Sequence, residues 1–229
     1  MIITALRAKS TKKIVPSWVS AIILLIAPAV AASFAIEVAV AEPMRFEVIR
    51  NGGNCENCSY TQATGEITSE TPKQFASFVA SQKFGTGIVR LNSPGGNLVG
   101  GIALGELFRT RGISTEVGSS APIPQATEVG VADRSSGSCA SACAYAYLGG
   151  VDRTLDKDAK LGFHRFYQED AIAQPTAKLF TGQDLGNAQM IKAALTLYTL
   201  KMGVDAALVA LAAHRLVPAR CIGFRGKMP

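Results

Sequence analysis

Three short segments of the chain carry the residue types that serine-based hydrolysis requires. In residues 137–150, Ser141 stands between two alanines at the predicted start of a buried helix. Residues 91–96 end in Ser-Pro-Gly-Gly, and residues 161–166 contain His164. A serine hydroxyl becomes a good nucleophile when a base accepts its proton, and the oxyanion that then develops needs N–H donors. The segments therefore predict an oxyanion loop, a nucleophile and a base, in that order.

The backbone around these residues could supply the donors. If a helix starts at Ser141, the Ala142 N–H has no partner within the helix and points toward the reacting carbonyl oxygen. Gly95 follows a predicted strand, and a glycine lets the backbone approach a ligand closely, so its N–H is the predicted second donor. The structural alternatives are that Ser141 caps or packs a helix, that His164 is a hydrogen-bonded strand histidine, and that the glycines form a turn.

The rest of the chain alternates between strand-like and helix-like patterns. Strands are predicted over residues 44–50, 60–68, 87–92, 113–117 and 160–166. Helices are predicted from Thr71 and over residues 98–108, 143–148 and 181–202, with a shorter helix that Asp205 caps, and residues 118–137 are predicted to be a surface loop. This alternation indicates an α/β structure with a largely parallel sheet. Chemistry in such sheets gathers at the carboxyl ends of the strands.

The order of the three motifs resembles the Clp-type serine peptidases of the ClpP/crotonase fold, and is closest to exported members of that superfamily. The resemblance covers residues 60–214 and implies a spiral of β-β-α units. It further implies Ser141 as nucleophile, His164 as general base, and the amides of Gly95 and Ala142 as the oxyanion hole. An extended peptide or protein substrate would add as a strand beside the Gly95 loop, without a metal or another cofactor. Clp-type relatives form rings, so a homo-oligomer is a further expectation.

Clp-type peptidases also use a third catalytic residue, an acid, and this chain departs from the family pattern at that residue. In Clp-type peptidases an aspartate after the long helix orients the histidine, and that position falls near Ala212 here. Asp205 is the last acidic residue of the chain and the remaining candidate, although it also fits a helix cap. A backbone carbonyl or a water molecule could hold the imidazole instead. Related signal-peptide peptidases use a lysine base, for which Lys160 is the nearby residue.

Residues 1–41 have the pattern of an export signal. A basic start precedes an apolar run over residues 18–36, and small residues then permit cleavage after Ala41 or Ala31. The alternative is an uncleaved anchor in the inner membrane. Either way the body of the chain, residues 42–214, is expected to be periplasmic or secreted, or to face outward from the membrane. Residues 215–229 form a basic tail, either solvated or altered by truncation or a change of reading frame.

Charge and cysteine content narrow the function further. The formal net charge is +6, but four basic residues and one acid lie in residues 1–41, which leaves +3 for the remainder. That excess is too small to predict nucleic-acid binding. Of the five cysteines, Cys55 and Cys58 are predicted to form a structural disulfide rather than a redox dithiol or half of a zinc site. Cys139 and Cys143 are predicted to share a helix face, where they could pair with either of those two.

These patterns favour an exported serine hydrolase, specifically a peptidase that forms an acyl-enzyme at Ser141. The alternative is a binding or scaffold protein that keeps the fold with weak or no catalysis, and the missing acid favours it. A third possibility is an acyl-CoA enzyme of the crotonase type. The export signal argues against that possibility, because CoA is cytoplasmic.

Overall fold

The computed structural model of this protein describes residues 42–50, 59–81, 87–120, 134–156, 158–166, 180–214 and 222–224. All of them belong to one compact unit, Ala41–Pro229. The predicted export segment and the cysteines Cys55, Cys58 and Cys221 lie outside the described residues. None of the helices in the described part of the chain has the length and hydropathy that crossing a bilayer requires.

The described strands form two main sheets and one short pair. They are β1 (Arg45–Arg50), β2 (Ser59–Thr64), β3 (Ile88–Asn92), β4 (Ser114–Val117), β5 (Ser119–Ser120), β6 (Arg134–Ser135), β7 (Ser138–Ala140), β8 (Arg153–Leu155), β9 (Lys160–Phe163) and β10 (Ile222–Phe224). The larger sheet has the order β1-β2-β3-β4-β8, and every pair in it except β1 with β2 is parallel. The predicted α/β class with a largely parallel sheet is therefore confirmed.

The smaller sheet carries the segment that contains Ser141. Its order is β10-β9-β7, with β7 and β9 parallel and β9 and β10 antiparallel. A bridge between Ser93 and Cys139 joins β7 to the chain just beyond β3, so the two sheets meet next to the Ser-Pro-Gly-Gly loop. This junction brings the first two predicted motifs together in space.

Five helices lie within the described residues, and side chains cap the first turns of two of them. They are α1 (Thr71–Ser81), α2 (Leu98–Thr110), α3 (Ala142–Leu148), α4 (Gly182–Lys201) and α5 (Ala207–Ala213). The Asn97 side chain caps α2 by accepting the Gly100 N–H at 2.8 Å. Thr181 and Asp184 form a reciprocal capping box at the start of α4. Such caps satisfy N–H groups that a helix cannot satisfy internally.

The core forms around α3, all of whose residues are buried. α2 crosses α3 closely because small residues line the contact. A methyl group added to Gly101 would collide with the Ala142 carbonyl, and one added to Gly105 would lie 3.1 Å from the Ala146 carbonyl oxygen. Below this contact, Phe75 of α1 meets Phe108 of α2 edge to face, with ring centroids 5.1 Å apart. Close packing of this kind places the first turn of α3 rigidly above the sheet.

Two arginines form hydrogen bonds to the C-terminal end of α3. Arg109 and Arg153 each donate to the carbonyls of Leu148 and Met202, at 3.1–3.3 Å. These carbonyls belong to the C-terminal ends of α3 and α4, where a helix lacks internal donors and the helix dipole favours positive charge. The C-terminal ends of the two helices are thereby tied to one another.

Several boundaries differ from the sequence predictions. β9 ends at Phe163 rather than at residue 166, so His164 lies just beyond the strand. The predicted loop over residues 118–137 contains the short pair β5 and β6, and the predicted tail contains β10, which pairs with β9. Backbone pairing at a sheet edge needs no side-chain periodicity, which is why these short strands escaped prediction.

The long helix α4 is less buried than its pattern predicts. Leu195 and Tyr198 are buried as predicted, but Met190 is 64% exposed and Ile191 37% exposed. Spacing alone predicts an apolar face along the whole helix, but only the C-terminal half of α4 packs into the core. The N-terminal half instead borders a groove described below.

Candidate active site

Ser141 occupies a sharp corner between β7 and α3. Its φ of 58° and ψ of −125° make it the one non-glycine residue with positive φ among the described residues. The Ser141 N–H donates to the Gly162 carbonyl at 2.9 Å, and the Ala144 N–H donates to the Ser141 carbonyl at 3.0 Å. The Ser141 side chain makes no capping hydrogen bond. A serine held in this way on a strand-to-helix turn has the geometry of a nucleophile elbow.

A disulfide spans this corner. Cys139 in β7 is bonded to Cys143 in the first turn of α3, with a Cα–Cα distance of 5.2 Å, and both residues are buried. The prediction that these cysteines share a helix face is therefore wrong, and of the pairings that the sequence left open they form the one with each other. Cys139 lies on a strand, so Ser141 stands between the two bonded residues rather than beside a helical pair.

The glycine loop lies directly against the serine. A methyl group built on Gly95 would lie 2.6 Å from Ser141 Cβ and 3.1 Å from the Ala142 nitrogen. Gly95 has a φ of +110°, which glycine adopts without strain. Three of the predicted site residues, Gly95, Ser141 and Ala142, are thus brought together, and the space between them requires a glycine.

The direction of the Gly95 amide differs from the prediction. The Gly95 N–H donates to Ser93 Oγ at 3.1 Å, inside the loop, rather than pointing toward Ser141. Ser93 is buried, and no pattern in the sequence assigns it to the site. A serine two residues before a glycine can form a local side-chain-to-backbone turn, which is the signal that could have revealed this contact.

The N–H of Gly96, the next residue, has a different orientation. The Ile67 N–H donates to the Gly95 carbonyl and the Asn97 N–H donates to the Ile67 carbonyl, both at 2.7 Å. In a parallel bridge of this kind the residue between the two bonds, here Gly96, directs its own N–H away from the partner strand. The Gly96 N–H therefore faces away from Ile67.

His164 follows the strand that neighbours β7. Ala140 pairs with Gly162 in the parallel register of β7 and β9, and the next residue after β7 is Ser141, while the next residue after β9 is His164. Both side chains consequently belong to the carboxyl edge of one sheet, where α/β proteins place their chemistry. The His164 side chain is largely buried.

A backbone carbonyl orients the imidazole. His164 Nδ1 lies 2.6 Å from the Arg165 carbonyl oxygen. A carbonyl can only accept a hydrogen bond, so Nδ1 carries the proton, and in the neutral imidazole the lone pair is then on Nε2. In a serine hydrolase an acidic side chain normally selects this tautomer.

The other candidates, for the acid that orients His164 and for a lysine base, lie away from Ser141 in the chain or serve other roles. Asp205 is exposed, and its Oδ1 accepts the Ala207 N–H at 2.8 Å. It lies one residue before Ala206, which occupies the cap position of α5. Ala212, near the position that the resemblance gives to the acid, is buried in the core. Lys160 is exposed at the amino end of β9, opposite Ser138, and so lies at the other end of the strand from His164.

An apolar groove of about 510 Å³ begins beside the glycine loop. Its lining includes Asn97, Leu98, Ile102, Phe166, Leu185 and Ile191. Asn97 directly follows the two glycines, and Phe166 lies two residues after His164. Because most of its lining is apolar, the groove can accept an aliphatic or aromatic side chain.

No family model matches the chain, and no curated protein matches it significantly. Among solved structures, the chain is similar to a mutant of the membrane-bound stomatin-specific protease 1510-N. The two share 17% sequence identity over 67% of this chain and 69% of that chain, with a TM-score of 0.41. Likeness at this level assigns neither a family nor an activity to this chain.

Proposed function

We propose that this protein is an exported serine hydrolase, specifically a peptidase, with Ser141 as nucleophile and His164 as general base. The observation that carries the proposal is the conformation of Ser141. A non-glycine residue adopts such a φ only where the surrounding structure holds it, and residues of this kind concentrate at active sites. The hydroxyl is not used as a helix cap, which removes the main structural reason for a serine at this corner.

The proposed reaction uses two backbone donors. Ser141 Oγ attacks the substrate carbonyl while His164 Nε2 accepts the hydroxyl proton. The oxyanion is stabilised by the N–H of Ala142 and by that of Gly96, which we prefer to Gly95 because the Gly95 N–H is donated to Ser93. His164 then gives its proton to the leaving amine, and water hydrolyses the acyl-enzyme by the same steps in reverse order.

The neighbouring groove favours an apolar side chain next to the bond that is cleaved. Leu98 and Ile102 lie on the α2 side of the groove, which begins two residues after the glycine loop. A peptide substrate could pair its backbone with the loop while one apolar side chain enters the groove.

The remaining expectations belong to this proposal. The parallel strands with intervening helices are compatible with the ClpP/crotonase spiral of β-β-α units. Residues 1–41 would direct export, and a disulfide at Cys139 and Cys143 supports an oxidising compartment such as the periplasm or the exterior. Assembly into a homo-oligomer stays a prediction from the family resemblance.

A fluorophosphonate probe tests the proposed nucleophile and base. The full chain is purified under oxidising conditions and labelled beside Ser141→Ala and His164→Ala. We expect Ser141→Ala to abolish labelling and His164→Ala to slow it by about 10³-fold or more, because the serine loses its base. Ser138→Ala, on the exposed part of β7, and His214→Ala, at the exposed end of α5, are matched controls that should label like the parent.

The outcomes separate the two classes of function. Labelling that persists in Ser141→Ala would exclude Ser141 as the nucleophile. A parent protein that is folded but does not label would favour the second candidate, a binding or scaffold protein with this fold. Two observations favour that candidate: the Gly95 N–H is donated within its own loop, and the position of the family acid is taken by the buried Ala212.

A further inference from the structure

The disulfide at the serine corner joins two elements that are each held independently. Cys139 pairs with Leu161 in β9 and bridges to Ser93, so its end of the bond is fixed in the sheet. Cys143 lies in α3, whose residues are all buried against α2 and the sheets. A covalent link between a fixed strand and a fixed helix leaves the residues between them little freedom.

Ser141 is the residue for which this restriction matters most. Its positive φ is unfavourable for an L-residue, so without restraint the corner would relax toward an ordinary backbone conformation. The hydrogen bonds from Ser141 to Gly162 and from Ala144 to Ser141 hold its peptide groups, but they do not fix the separation of the two flanking residues. The disulfide does fix that separation.

A general stabilising role explains the bond less well. A disulfide stabilises a protein mainly by restricting the unfolded chain, and this effect grows with the length of the loop that it closes. Cys139 and Cys143 are separated by four positions, which is a very short loop. The larger effect is therefore expected at the corner itself.

We propose that the Cys139–Cys143 disulfide is a positioning device that holds Ser141 in its reactive conformation, an inference that rests on the proposed function. A dithiol can reverse it: the protein S–S bond accepts two electrons and two protons and becomes two thiols, while the dithiol is oxidised to its own disulfide. Loss of the bond lets the corner relax and moves Ser141 Oγ from the position that the proposed reaction requires.

The experiment uses a full-length variant in which reduction can act at one place only. Cys55→Ser, Cys58→Ser and Cys221→Ser are combined, so that Cys139 and Cys143 are the remaining cysteines. The oxidised protein, the protein reduced with a dithiol, and a sample oxidised again are compared by fluorophosphonate labelling. Mass spectrometry counts the hydrogens gained on reduction, and far-UV circular dichroism verifies that the fold persists.

We expect reduction to lower kinact for the probe by about 10- to 100-fold, as a displacement of about 1 Å does in other active sites, and to leave KI unchanged. KI should not change because the groove is lined by α2, α4 and Phe166 rather than by the bonded cysteines. Reoxidation should restore the rate. Hydrogen exchange at the amides of Ser141, Ala144 and Tyr145 should accelerate on reduction, because these amides form the hydrogen bonds of the corner.

The two readouts distinguish the possible failures. Equal labelling and equal exchange in the oxidised and reduced proteins would overturn the positioning role while the proposed function stands. Faster exchange on reduction in a protein that never labels would overturn the proposed function and support the restraint on the corner. Cys139→Ala combined with Cys143→Ala provides the unlinked state without a reductant and should match the reduced protein in both readouts. A double variant that matches the oxidised protein would also overturn the positioning role.

Discussion

Ser141 concentrates backbone strain at the point where the proposed chemistry takes place. A residue in such a region of φ and ψ costs about 1–3 kcal/mol and persists only if its surroundings hold it. Here its surroundings are the Gly162 carbonyl, the first turn of α3 and the disulfide. These restraints keep the side chain in one orientation, which is what a nucleophile needs.

Gly95→Ala tests the space between the loop and the serine. The new Cβ would lie 2.6 Å from both Ser141 Cβ and the Ala140 carbonyl, on a backbone with a φ of +110°. We expect fluorophosphonate labelling to fall by about 100-fold or more, because the loop must move away from the site. Labelling kinetics and urea unfolding measure the two consequences separately.

Gly112→Ala is the matched control, since Gly112 also has a positive φ, of +65°, but no atom lies within 4 Å of an added Cβ. It should cost about 1–2 kcal/mol of stability and leave labelling unchanged. A Gly95→Ala protein that labels as fast as the parent would contradict the geometry proposed for the loop.

At the scale of elements, α2 determines where α3 begins. Gly101 and Gly105 permit close contact with the backbone of α3, so the first turn of α3 and the Ala142 N–H are placed by helix packing as well as by the corner. Side-chain periodicity predicts both helices but gives no measure of how closely they approach.

Gly105→Ala tests this contact. The added methyl would collide with the Tyr198 hydroxyl, which otherwise donates to the Tyr145 carbonyl at 2.7 Å. We expect a loss of about 1–3 kcal/mol in the free energy of unfolding, because overpacking outweighs the better helix propensity of alanine. At Gly186 in α4 no atom lies near an added Cβ, so Gly186→Ala should instead stabilise by up to about 1 kcal/mol. Chemical denaturation measures both, and equal effects would contradict the packing account.

The two tyrosines of α3 should make the free energy of unfolding depend on pH in the alkaline range. Burial raises the pKa of Tyr145 to about 12 and that of Tyr147 also to about 12, whereas an unfolded tyrosine has a pKa of about 10. Since the folded pKa is the higher one, the contribution of these groups is fully present below pH 10 and is lost as the pH rises toward 12. The free energy of unfolding should therefore fall above pH 10 by up to about 1.4 kcal/mol per pH unit for each tyrosine.

Urea unfolding at several alkaline pH values, with tyrosinate absorbance, checks this slope. Tyr145→Phe should reduce it, because phenylalanine does not ionise. A slope that is unchanged in Tyr145→Phe would show that other groups cause the alkaline destabilisation.

At the scale of the molecule, one buried cation connects several parts of the described unit. The Arg90 side chain is fully buried in β3 and lies 2.9 Å from Asp156 Oδ2, just after β8, and 3.5 Å from Glu116 Oε2 in β4. It also donates to the Ser135 carbonyl of β6 at 3.3 Å. The face of the larger sheet around Arg90 is thus organised by charge rather than by apolar packing.

Arg90→Met removes the cation that pairs with the carboxylates of Asp156 and Glu116. We expect a loss of about 2–3 kcal/mol in the free energy of unfolding, below the value for a fully buried pair because the Asp156 side chain is 42% exposed. Arg45→Met breaks an ion pair with Glu42 in which both side chains are more than 70% exposed, and should change stability by less than about 0.5 kcal/mol. Similar losses in the two variants would contradict the structural role of Arg90.

The predictable part of this protein is local. Apolar spacing and capping residues predicted helices at α1, α2 and α4, and the order of the three motifs predicted which strand ends would carry Ser141 and His164. Both are properties of neighbouring residues, and the structure agrees with them to within a few positions. The burial of α4 was overestimated because periodicity does not reveal which part of a helix has a partner.

The sequence by itself determined an α/β chain with a largely parallel sheet, a serine at a strand-to-helix junction, a glycine loop and a histidine at the end of a following strand. Tertiary structure alone decided that Cys139 pairs with Cys143, that the Gly95 N–H is donated to Ser93, and that a backbone carbonyl holds His164. The physical reason is that propensity and periodicity act over a few residues. Disulfide partners, amide directions and imidazole orientation depend instead on how separate strands and loops meet in space.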